Sequence, residues 1–92
     1  MDRDPRTEPP PDWWDWPLTF TSHVEARMEE RQFSEVELRR MLAEATRISD
    51  ARRPGRFLVA CRHQTVPWTV VLEPDPLSQL LFVVTAFPRM TP

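Results

Sequence analysis

Three runs rich in Val, Leu, Phe and Trp fill the second half of the chain: RFLVACRH (56–63), VPWTVVLE (66–73) and LLFVVTAF (80–87). Branched and aromatic side chains suit a pleated, half-buried surface. The connections between the runs, at HQT and PDPLSQ, are too short for crossovers, so the runs are expected to form an antiparallel meander. The last run is apolar at nearly every position except Thr85, which implies a central place in the sheet or burial on both faces.

Upstream, WWDWPLTF alternates Trp14, Trp16, Leu18 and Phe20 with Asp15, Pro17 and Thr19, the period of a strand with one buried face. Pro17 lacks an amide hydrogen and places that strand at a sheet edge. Two capping-box patterns follow, Ser22 with Glu25 and Ser34 with Glu37. They predict consecutive helices over roughly 23–32 and 35–46, with Phe33 at the joint as a hydrophobic staple. Leu38, Met41, Leu42 and Ala45 recur at helical spacing and are candidate core residues, as are Val24 and Met28 in the more charged first helix. SDARRPGR, which holds the single glycine, Gly55, reads as a loop. The expected architecture is β-α-α-β-β-β, an α+β domain with two N-terminal helices packed on one face of a small antiparallel sheet.

A chain of 92 residues holds one core. The start, MDRDPRTEPPPD, contains four prolines and no aliphatic cluster, so residues 1–12 are expected to be a disordered tail and residues 13–90 a single domain. A lone cysteine, Cys61, rules out an internal disulfide framework and leaves no zinc-ligand set. No apolar run of about 18 residues occurs, and the acidic start is unlike a signal peptide. Those features point to a cytoplasmic protein with no membrane segment. Neither a glycine-rich phosphate loop nor metal-ligand spacing is present, so no cofactor and no metal are expected.

The net charge of -2 argues against indiscriminate binding to phosphate backbones. Yet all 12 basic residues are arginine, whose planar fork matches carboxylate and phosphate. An all-arginine inventory equally fits a GC-rich genome. His23, Arg27, Glu30 and Arg31 are spaced to share one face of the first helix. The partial positive charge of a helix start and the neighbouring Arg27 work against a second cation there, which suits His23 to serve as a general base. Arg27 and Arg31 could hold a phosphodiester while Glu30 orients an arginine. The same spacing also describes the solvated side of an amphipathic helix, with Arg27 and Glu30 as an ordinary ion pair.

Other chemistry-bearing residues are more ambiguous. His63 closes a strand at HQT and reads as a surface turn residue. Cys61 alternates with Val59 and Phe57 and reads as a small buried hydrophobe, with no cysteine–histidine dyad implied. Thr85 interrupts an apolar strand, so its hydroxyl either meets a buried partner or faces a cleft, and Arg56 opens the first meander strand. Trp13, Trp14 and Trp16 form either a stacking platform or a terminal segment clamped onto the core.

Taken together, SHVEARMEERQFSEVELRRML, GRFLVACRH, PWTVVLEPD and LLFVVTAFP resemble a widespread bacterial family of domains of unknown function, DUF4258, over about residues 13–88. That family is similar at the level of fold to the barnase, colicin D and RelE ribonuclease toxins. The resemblance implies a metal-independent ribonuclease-like toxin acting on RNA and restrained by an antitoxin encoded nearby. It carries over His23 as the helix-leading histidine and Arg27 and Arg31 as the arginines of an H-x3-R-x2-ER pattern, with Glu30 between them. It also carries over Arg56, before the first meander strand, as a phosphate-binding residue, and Thr85, in the last strand, as a catalytic hydrogen-bonding group in the cleft. Members often have a tyrosine shortly after that threonine. Here the position is Phe87, and the chain has no tyrosine. A catalytically inert protein-interaction module of the same fold is the alternative expectation.

Overall fold

The computed structural model of the chain describes residues 3–32 and 34–89. A short strand, β1 (Leu18–Phe20), runs directly into helix α1 (Ser22–Glu30). Thr21 supplies the helix cap: its Oγ1 accepts the Val24 N–H at 3.2 Å and lies within donating distance of the carbonyls of Val83 (3.2 Å) and Val84 (3.0 Å). The cap therefore falls one residue before the Ser22–Glu25 box read from sequence, because a hydroxyl also anchored to a neighbouring strand outcompetes one facing water. In helix α2 (Glu35–Ala43) the expected box is present, Ser34 Oγ accepting from the Glu37 N–H at 3.3 Å and Glu37 Oε1 accepting from the Ser34 N–H at 3.2 Å. The staple expected at Phe33 lies outside the described residues.

After Ala43 the chain leaves the helix, short of the expected end at 46, and enters strand β2 (Arg47–Asp50). Sequence patterning places Ser49 and Asp50 in a loop and gives Arg47 and Ile48 no element. Ile48 is the buried anchor of the strand, packed into the core from its place opposite Val59. The meander follows as expected: β3 (Phe57–His63), β4 (Val66–Asp75) and β5 (Leu80–Pro88), each antiparallel to the next.

The sheet has five strands in the order β1-β5-β4-β3-β2, and β1 lies parallel to β5. It is thus mixed, where an all-antiparallel sheet of four strands was expected. No hairpin joins β1 to β5, so nothing local dictates their direction. Pro17 sits at the edge as predicted, its carbonyl accepting the Leu81 N–H at 2.9 Å. The tryptophan segment does not extend β1. Asp12–Asp15 instead form a 3₁₀ turn, and the Trp13 ring rests on Phe57 with centroids 4.8 Å apart. Farther upstream, Arg3 exchanges backbone hydrogen bonds with Ile48 on the outer edge of β2.

Both helices cover one face of the sheet. Val24, Met28, Leu38, Met41 and Leu42 meet Val59, Cys61, Val70, Leu72, Val83 and Ala86 in a single core. A bulge between Val71 and Leu72 sets which face the last strand shows: Leu72 pairs with Val83 but Val71 pairs with Thr85, leaving Val84 as the extra residue. Cross-strand partners share a face, so Thr85 points with Val71 and Phe87 with Thr69, away from the helices.

Candidate functional site

α1 displays His23 in its first turn, exposed, followed by half-buried Arg27 and exposed Glu30 and Arg31. Its opposite side is fixed in the core through Val24 and Met28. Among the described residues, the side chains of His23, Arg27 and Glu30 make no hydrogen bond or ion pair, so the ordinary Arg27–Glu30 pair does not form. Arg31 lays its guanidinium over the Trp68 ring, 5.6 Å from the centroid, a stacking contact that holds the cation without neutralising it.

The sequence-derived residues fall into two groups. Arg56 and Thr85 belong to the sheet. Arg56 Nε donates to Glu73 Oε1 at 2.7 Å across β3 and β4, and Thr85 lies on the face turned away from the helices. The α1 row and Thr85 are tied through Thr21, whose hydroxyl meets the Val83 and Val84 carbonyls immediately before Thr85. No direct contact joins His23, Arg27, Arg56 and Thr85 among the described residues. Phe87 is 40% exposed.

His63 was read as a surface turn residue and is placed differently. Its side chain is only 16% exposed, with Nε2 3.6 Å from Glu37 Oε2 and its ring edge-on to Trp68 at 6.0 Å. Cys61 and His63, two apart on β3, share the helix-facing side. Strand alternation carried past Cys61 to His63 would have revealed this. The capping box orients the partner, because Glu37 Oε1 is engaged by Ser34 while Oε2 turns to His63. Around this pair opens a cleft of about 240 Å³ between α2 and the β3–β4 hairpin, lined by Glu37, Arg40, Met41, Glu44, Arg62, His63 and Gln64.

Cys61 has a structural role. Burial pushes its thiol up to about 12, against a smaller opposing pull from the Arg89 charge. The native thiol is therefore expected to resist alkylation at pH 8, where a denatured control reacts at once. The unfolded thiol ionises from about pH 9 and the folded one only near 12. Its contribution to stability is complete below pH 9 and is lost as pH rises between those values. Rapid labelling of the native protein at pH 8 would contradict this.

Residues 20–88 match the model of a family described as Domain of unknown function (DUF4258). The molecule is thus an α+β domain with two helices on a five-stranded mixed sheet, and the chain belongs to that family. No curated protein and no solved structure matches it. Among the described residues, no helix is long and apolar enough to cross a membrane, and no group of three His, Cys, Asp or Glu side chains is placed to hold a metal ion.

Proposed function

We propose that this domain is a metal-independent endoribonuclease of the toxin type, related in fold to barnase, colicin D and RelE. The observation that carries the reading is the pair of α1 arginines without carboxylate partners among the described residues, one of them half-buried, beside an exposed histidine. A cation drawn partly out of water with no counter-ion is costly unless an anion completes it. A phosphodiester supplies that anion, and the arginine fork fits its oxygens.

In this reading His23 takes the proton of a ribose 2′-hydroxyl, the 2′-oxygen attacks phosphorus, and Arg27 and Arg31 stabilise the charge that builds there; the P–O5′ bond breaks, leaving a 2′,3′-cyclic phosphate and a 5′-hydroxyl that takes its proton from water. Arg56 and Thr85, on the outer sheet face, extend the path of the strand. The protein acts in the cytoplasm and is held in check by an antitoxin partner. Purified protein is expected to cut total RNA, or RNA on loaded ribosomes, with a chelator present. RNA left intact, or cutting only with added divalent metal, overturns the proposal.

A catalytically inert interaction module is the second reading, favoured by Phe87: an exposed aromatic ring stands where the family often has a phenol. In that case His23→Ala leaves partner recovery unchanged while Phe87→Ser abolishes it.

A further inference from the structure

The cleft between α2 and the β3–β4 hairpin is lined by two carboxylates, Glu37 and Glu44, and two guanidinium groups, Arg40 and Arg62. Glu37 Oε1 accepts from the Ser34 N–H, and its Oε2 lies 3.6 Å from His63 Nε2. Arg40 on α2 and Arg62 on β3 both line it, and neither makes an ion pair among the described residues. The turn closing the cleft is itself strained. Gln64 and Thr65 both have positive φ, 51° and 69°, in a hairpin turn that favours Asn and Gly. A branched threonine there is an outlier of the kind that persists at binding sites. This turn brings Gln64 to the cleft wall.

We propose that the cleft seats a phosphate group, gripped by Arg40 and Arg62, with Gln64 as a neutral donor and His63, aimed by Glu37, as the imidazole donor. Two guanidinium groups on the lining of one cleft match an oxyanion better than either would alone. The cleft, about 240 Å³, falls below the roughly 300–1,000 Å³ of pockets for drug-sized ligands, so it takes a phosphoryl group and not a whole nucleotide. Arg31 covers the same Trp68 ring that His63 meets edge-on, which makes the seat continuous with the α1 row. The phosphate belongs either to an RNA backbone or to a free anion. The seat stands apart from the cleavage reading, because binding here requires no bond to break.

The chain contains two histidines, so imidazole ¹H–¹⁵N spectra of the full chain report each one separately. The protein is titrated with inorganic phosphate, with a 3′-mononucleotide, and with a cleavage-resistant 2′-O-methyl oligonucleotide. His63 signals are expected to shift saturably. Arg40→Gln and Arg62→Gln should each weaken binding about tenfold or more through loss of a charge-assisted contact, whereas Glu44→Gln should strengthen it. Saturation by the small anions alone assigns a free-phosphate seat, and saturation by the oligonucleotide alone assigns a backbone seat. His63 signals that stay still with all three probes, or shifts unchanged in both arginine variants, overturn the proposal. So does weaker binding in Glu44→Gln, which would point to a zwitterionic ligand using that carboxylate.

Discussion

Leu72→Ala is expected to cost about 2–5 kcal/mol of stability, the range for a buried leucine whose removal leaves a cavity. Leu72 is fully buried at the centre of β4, between Phe57 of β3 and Val83 of β5, and it sits at the bulge that sets the register of the last strand. Native domains hold only about 5–15 kcal/mol. A chain of this length should therefore lose roughly 10–30 °C of melting temperature. Leu77→Ala serves as the control: Leu77 is 98% exposed at the β4–β5 turn, and its truncation should stay within about 0.5 kcal/mol. Chemical denaturation followed by tryptophan fluorescence measures both. Equal stabilities for the two variants would show that Leu72 is not part of the core.

His23→Ala is expected to lower RNA cleavage by about 10²–10⁴, the usual contribution of a positioned general base. Stability should be nearly untouched, because His23 is exposed and its side chain bonds to nothing among the described residues. That combination separates a chemical role from a structural one. His23→Ala that cuts RNA as well as wild type sinks the assignment and leaves His63 as the histidine to test next. Measuring the rate with saturating RNA distinguishes lost chemistry from lost binding, since Arg27→Ala and Arg31→Ala should raise KM as well as lower kcat, whereas His23→Ala should lower kcat alone.

Much of the architecture was legible because it rests on short-range pattern. The β3–β4–β5 meander follows from three apolar runs with short connections, and α2 from a serine and a glutamate at capping spacing with Leu38, Met41 and Leu42 one turn apart. Strand β2 was not legible, since Arg47–Asp50 offers a single apolar side chain, Ile48, and is a strand only because β3 presents an edge to it. The tryptophans were misread in form but not in role: they clamp the core, though through a 3₁₀ turn where alternation had implied a strand.

The candidate site divides along the same line. The α1 row was visible as helical spacing, and the structure adds that its arginines lack carboxylate partners among the described residues. Thr85 would share the face of Val83 if β5 alternated without interruption, and the bulge at Val71/Leu72 turns it to the other side. His63 and Glu37 meet across 26 residues of chain, a pairing that no local pattern contains.

The amino-acid sequence by itself determined the helices, the meander and the residues that fill the core, because periodicity and caps act within a few residues, where little chain entropy opposes them. Only the tertiary structure decided the parallel pairing of β1 with β5, the strand identity of Arg47–Asp50, the face shown by Thr85 and the pairing of His63 with Glu37. Each of these depends on contacts between distant segments, such as the one that brings Thr21 to Val83 over 62 residues. Segments this short have too weak a preference of their own, and the rest of the fold chooses for them.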